Sequence, residues 1–171
     1  MERTDIITMK GNPLTLQGQA LKVGDKAPDF TALDNDMKPV KLSDSSGTVR
    51  LVSVVTSLDT SVCDTQTVTF NKKAADLGDD VTLFTISNDL PFAQKRFCAA
   101  RAVDKLQVLS DYRDVDFGEK YGLLIKELRL LARAVMVIDK DDTIRYLQIV
   151  PEVSTEPDYE TALAALKKTI G

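Results

Sequence analysis

Leu51-Val52-Ser53-Val54-Val55-Thr56-Ser57-Leu58-Asp59-Thr60-Ser61-Val62-Cys63 is the stretch that decides the fold of this chain. Residues 51–55 form a short apolar run rich in β-branched side chains, the pattern of a buried strand. Residues 56–62 make a loop and the start of a helix, which runs from about Ser61 to Leu77 and stops at Gly78. Cys63 then falls in the first helical turn. Unpaired N–H groups and the positive end of the helix dipole converge there. A thiolate is favoured in such a place, and the thiolate is the nucleophile. The other cysteine, Cys98, falls on a later helix. One reactive thiol and one candidate resolving thiol point to redox chemistry.

Outward from this stretch, strands and helices alternate. Residues 6–10 and 14–16, joined by Gly11-Asn12-Pro13, read as an N-terminal β-hairpin. Residues 38–43 read as a short strand, and 23–30 as an extended loop in which Pro28 biases Ala27 away from helix. Val81–Ser87 is a strand. Asn88 or Asp89 caps the next helix, with Pro91 in its first turn and an end near Ala102. Residues 106–110 are a short strand, and 115–121 a short helix stopped by Gly122. Residues 134–139 and 143–150 form a hairpin around Lys140-Asp141-Asp142, and a last amphipathic helix runs from Pro157 to Ile170. This order predicts an α/β fold with a central mixed β-sheet flanked by helices, in one domain over 1–171. A strand crossing into a helix with cysteine in its first turn is the thioredoxin-like arrangement, with the site at the carboxyl end of a strand.

Composition narrows the chemistry. The 171 residues are 43% hydrophobic and 28% charged, with a net charge of −4. No basic footprint suggests nucleic acid, and no apolar run of membrane-spanning length occurs. The N-terminus lacks the pattern of a secretory signal. Two cysteines do not make a disulfide scaffold, so a cytoplasmic, reduced resting state is expected. The chain has no histidine, which excludes Ser-His-Asp and Cys-His catalysis and H-E-x-x-H zinc sites. Glycine-rich nucleotide motifs and C-x-x-C are missing too. No metal or cofactor is expected, and Asp139-Lys140-Asp141-Asp142 reads as a solvated turn rather than a cation site.

Thr60-Ser61-Val62-Cys63 matches the T-x-x-C part of the peroxiredoxin pattern P-x-x-x-T-x-x-C. The stretch from Ser57 to Thr67 resembles the thiol peroxidase branch of that family. So do Gly11-Asn12-Pro13, Lys22–Asp25, Ala27–Phe30, Leu90–Cys98, Ala132–Val135 and Thr155–Tyr159. These blocks span nearly the whole chain in the family order. The resemblance implies a thioredoxin-like fold with an N-terminal hairpin and an atypical two-cysteine peroxiredoxin. It implies reduction of hydrogen peroxide and organic hydroperoxides, recycling by thioredoxin, and a homodimer. It also implies that Cys63 is the peroxidatic cysteine and Cys98 the resolving one, joined in a Cys63–Cys98 disulfide within one subunit. Thr60 would hydrogen-bond the thiolate and orient the peroxide. Arg133 would stabilise the thiolate and polarise the peroxide oxygen. One position departs from the pattern: Thr56 stands where the family has proline. That proline packs beside the thiol and limits water, whereas threonine adds a hydroxyl and an N–H.

Taken singly, these residues have plainer readings. Cys98 sits in apolar company suited to core packing, Thr60 is a natural helix cap, and Arg133 would by itself be a surface residue. Thr60 is expected to serve as both cap and site residue. With no histidine, a cation and hydrogen-bond donors must activate the thiol, and Arg133 stays charged at any relevant pH. A disulfide needs Cα atoms about 4.4–6.8 Å apart, so two cysteines on separate helices require local unwinding during turnover. The rival class is a thiol-disulfide redox sensor or binding protein, and a glutathione-recycled peroxidase is a third reading. Repeated turnover separates the sensor from an enzyme, and exchange of the reductant separates the two enzymes.

Overall fold

The computed structural model describes residues 1–171. In chain order the elements begin with β1 (Glu2–Met9), β2 (Asn12–Gln17), β3 (Thr31–Leu33) and β4 (Pro39–Lys41). A 3-10 turn at Leu42–Ser45 precedes β5 (Val49–Val54), α1 (Ser61–Ala74), β6 (Val81–Ser87) and α2 (Pro91–Arg101). Then follow β7 (Gln107–Ser110), α3 (Asp116–Lys120), β8 (Leu124–Ile125), β9 (Leu130–Leu131), β10 (Ala134–Ile138), β11 (Ile144–Ile149) and α4 (Tyr159–Ile170). Seven strands make the main sheet in the order β11-β10-β5-β6-β7-β3-β4, and β1-β2-β8-β9 form a second, four-stranded sheet. β5, β6 and β7 run parallel, while β10 runs antiparallel to β5. This is the mixed-sheet α/β fold expected from the sequence.

Strand β5 is buried along its whole length, because it lies between β10 and β6 and is covered on both faces. Its side chains alternate between two cores, as the strand period of two requires. Val52 and Val54 join the larger cluster with Phe30, Phe117 and Leu131. Val49 and Leu51 join Phe70, Val135 and Leu166, under α1 and α4. Each such side chain contributes about 1.5–3 kcal/mol by leaving water. The alternation locks the register that carries the β5 end, and with it the loop before α1, to one place. No helix is long and apolar enough to cross a membrane.

Several local expectations need correction. The N-terminal hairpin is longer than the 6–10 and 14–16 pairing, because the polar residues Glu2 and Arg3 pair with Gln17 and Leu16 across a bulge. Helix α1 ends at Ala74 rather than Leu77: the N–H groups of Ala75, Asp76 and Leu77 turn back to carbonyls three residues earlier, tightening the end into a 3-10 turn. Helix α2 is preceded by Leu90, not capped by Asn88 or Asp89, since the Asp89 carboxylate is engaged elsewhere. α4 starts at Tyr159, where Asp158 accepts from Thr161 N–H at 3.0 Å. The two-residue strands β8 and β9, and β3, carry too little periodicity to be read from sequence.

Candidate active site

Strand β5 stops at Val54, and Val55 still hydrogen-bonds the Ile86 carbonyl. The chain then turns through Thr56–Thr60 and enters α1. Asp89, just past β6, pins this turn. It accepts from Ser57 Oγ at 2.9 Å, Leu58 N–H at 2.8 Å and Ser87 Oγ at 2.8 Å. Cys63 sits in the first turn of α1, fully buried. Its Sγ accepts from Arg133 Nη2 at 3.2 Å and from the Ser57 N–H at 3.5 Å. The backbone donor is therefore a loop amide rather than one of the first-turn helix amides.

Arg133 reaches Cys63 from the residue just before β10. It is buried, yet its guanidinium is well supplied with acceptors. Nε donates to the Val153 carbonyl at 2.8 Å and Nη1 to Gln66 Oε1 at 3.0 Å. Gln66, one turn after Cys63 on the same helix face, donates in turn to Ser53 Oγ at 2.8 Å. A buried charge needs such partners, and the rigid planar fork lets one side chain bond all three acceptors at once. The sequence reading named Arg133 but not Gln66, Asp89 or Val153. For Gln66, the spacing of three after Cys63 is the signal that was available.

Thr60 departs from its expected roles. It occupies the N-cap position of α1, but its side chain caps no helix amide. Its hydroxyl instead donates to the Ser57 carbonyl at 3.0 Å. A hydroxyl has one proton, so in this arrangement none is left for Sγ, and Thr60 does not hydrogen-bond the thiol. Its oxygen lone pairs face no such limit. Thr56 is buried, and its hydroxyl has no hydrogen-bond partner.

Thr56, Thr60 and Arg133 line a cleft of about 330 Å³, with Met9, Lys10 and Val153. The wall comes from two segments fastened together. Glu152 accepts from Thr8 Oγ1 at 2.6 Å, Lys10 N–H at 2.8 Å and Gly11 N–H at 3.2 Å, tying the hairpin tip to the segment after β11. These bonds, that from Thr8 first, pull the Glu152 carboxyl down to about 2.

Cys98 lies on α2, half-buried, and both cysteines are free thiols. They border one apolar cluster with Val55, Leu58 and Phe97. Burial pushes the Cys98 thiol up, which favours its neutral form. Asp64 of α1 pairs with Arg101 of α2 at 3.0 Å. Asn71 of α1 accepts from Lys105 N–H at 2.8 Å, bracing the end of α2. No group of histidine, cysteine, aspartate or glutamate side chains converges as a metal site.

A buried thiol held by arginine beside a thioredoxin-like sheet defines a class, and the comparisons agree with it. The redoxin family model matches residues 22–163, and the chain belongs to that family as a peroxiredoxin-type oxidoreductase. Its relatives narrow this further. It is 56% identical to the thiol peroxidase of Halalkalibacterium halodurans over 96% of this chain and 98% of the relative. It is 52% identical to the thiol peroxidase of Bacillus subtilis, over 96% and 98%. The crystal structure of a peroxiredoxin-like protein from Aquifex aeolicus superposes with a TM-score of 0.90 at 41% identity, covering 98% of this chain and 97% of that one.

Proposed function

We propose that this chain is a thiol-dependent peroxidase in which Cys63 reduces hydrogen peroxide and organic hydroperoxides, Cys98 resolves the product, and thioredoxin restores both thiols. The observation that carries this reading is the 3.2 Å contact of Arg133 with Cys63 Sγ, in a chain that has no histidine. A guanidinium is the available cation, and it already touches the sulfur.

The Cys63 thiolate attacks one oxygen of ROOH and the O–O bond breaks. The electron pair leaves on RO⁻, which takes a proton to become ROH, and sulfur, oxidised by two electrons, becomes a sulfenic acid. Arg133 balances charge on sulfur and on the leaving oxygen, as oxyanion donors do. Thr60, whose proton is engaged by Ser57, orients the peroxide by accepting its O–H. The Cys98 thiol then attacks the sulfenic sulfur, forming the Cys63–Cys98 disulfide and releasing water. A dithiol reductant supplies the two electrons that reopen it.

The cleft volume of about 330 Å³ exceeds what hydrogen peroxide fills and leaves space for an organic tail. Both cysteines border the same cluster as free thiols on separate helices, and local unwinding of both helices in the resolving step has to release the Asp64–Arg101 pair and the Asn71 brace. Leu90, Phe92 and Leu128 remain exposed, with Asn88 bonded to the Arg129 carbonyl between them, a face suited to a homodimer. The whole chain acts as one domain, and the thiol cycle suits the reducing cytoplasm.

The test is intact mass and peptide mapping after one equivalent of hydrogen peroxide, with peroxide followed over time. Rapid consumption with a loss of about two mass units at Cys63–Cys98 is expected. Slow consumption, or a sulfinic adduct with no disulfide, overturns the two-cysteine cycle. Sustained turnover with thioredoxin and its reductase, and not with glutathione, checks the recycling step.

A further inference from the structure

Two threonines line the cleft with Arg133, and the structure treats their hydroxyls differently. The Thr60 proton is committed to the Ser57 carbonyl at 3.0 Å. Thr56 is only 3% exposed, and its Oγ1 is enclosed without a partner. Its N–H makes no backbone hydrogen bond either. Buried hydroxyls are ordinarily paired, and leaving one unpaired destabilises the fold. Valine has nearly the same shape and would avoid that cost. Thr56 lines the cleft together with Arg133, and a hydroxyl kept unpaired in its wall has a donor in reserve.

We infer that Thr56 is a catalytic residue that donates its hydroxyl proton in a hydrogen bond to the oxygen leaving from the hydroperoxide. The assignment rests on the peroxidase reading of Cys63. Arg133 and Thr56 then approach the O–O unit as paired donors, while Thr60 accepts. The contact is with the O–O unit common to every hydroperoxide, not with the organic tail. It operates alike on hydrogen peroxide and on tert-butyl hydroperoxide.

The experiment compares Thr56→Val, Thr56→Ser and Cys63→Ser with the wild-type chain. Stopped-flow measurement gives the second-order rate of Cys63 oxidation by each of the two peroxides, and thermal unfolding of the reduced proteins gives Tm. Thr56→Val should slow both peroxides by about tenfold, the weight of one hydrogen bond. It should also raise Tm by about 2–4 °C as the orphaned hydroxyl is removed. Thr56→Ser should restore the rate. A Thr56→Val protein as fast as wild type, a loss confined to the bulkier peroxide, or a loss that serine does not restore overturns the assignment. A fall in Tm also overturns it, because the hydroxyl would then have a partner within the protein. Cys63→Ser separates the two levels: if it still consumes peroxide the peroxidase reading fails, whereas an inert Cys63→Ser beside an unaffected Thr56→Val removes Thr56 alone.

Discussion

The first turn of α1 and the last turns of α2 each carry a cysteine against the same apolar cluster, and they are held in opposite ways. Around Cys63 the contacts are buried and charged. Arg133 touches sulfur, Gln66 and Val153 fix Arg133, and Asp89 pins the loop that supplies the Ser57 amide. Around Cys98 the surroundings are half-open, and the ties are an exposed ion pair and a brace at the helix end. The difference teaches that a thiol's task follows from what surrounds it. Cys63 has a cation and donors suited to an anion, whereas the burial that pushes the Cys98 thiol up suits a neutral second partner.

The comparison breaks most sharply at the sulfurs. Cys63→Ser should slow peroxide consumption by roughly 10³-fold or more, measured against Cys98→Ser under the same conditions. Cys98→Ser should leave the first oxidation unchanged but stop recycling and let Cys63 advance to sulfinic acid, visible by mass. If the two variants behave alike, the asymmetry is without function. Arg133→Met is expected to slow the first oxidation by about 10²-fold, the usual effect of losing an oxyanion donor. It should also lower stability by about 1–3 kcal/mol, since the Gln66 and Val153 oxygens lose their donor. Unfolding curves and stopped-flow rates on the same sample check both.

The smallest effect is at the cleft wall. The Glu152 carboxyl is held near 2, below the ordinary glutamate value of 4.5, chiefly by Thr8. A depressed carboxyl stabilises the fold above its unfolded value, and that contribution fades as pH falls from 4.5 towards 2. Hydrogen-exchange protection at Gly11 and Lys10 should fall over that range, with the amides of β5 unaffected. Protection that holds at pH 3 would mean that the hairpin tip is fastened by something other than Glu152.

Local pattern carried much of this structure and long-range contact carried the rest. The strand over 49–54, the helix holding Cys63 and the proline opening α2 were legible because each rests on adjacent residues: β-branched runs, a loop rich in hydroxyls, a fixed φ. Arg133 was legible as a candidate through the family resemblance of the Ala132–Val135 block, since taken singly it reads as a surface residue. Asp89 was misread as a helix cap because its true partners, Ser57 and Leu58, lie some 30 residues away. Thr60 was misread for the opposite reason. Its nearest acceptor, the Ser57 carbonyl, is formed by the loop's own turn, and no spacing rule reveals where a hydroxyl points. Glu152 joined to Thr8 spans 144 residues and left no trace in the sequence pattern.

Helix α2 ends on Ala102 with φ of 52°, a left-handed position. The Cys98 carbonyl accepts from both the Ala102 and the Val103 N–H groups. The residue that carries the sulfur is thus also the keystone of the helix end. Drawing its backbone out of place would release two amides at once, and returning it would close them again. A left-handed alanine costs about 1–2 kcal/mol to hold, so that clasp is already weakened. The oxidation state of one sulfur can therefore be read at a distance from it, as the protection of two neighbouring amides, with no probe on the thiol itself.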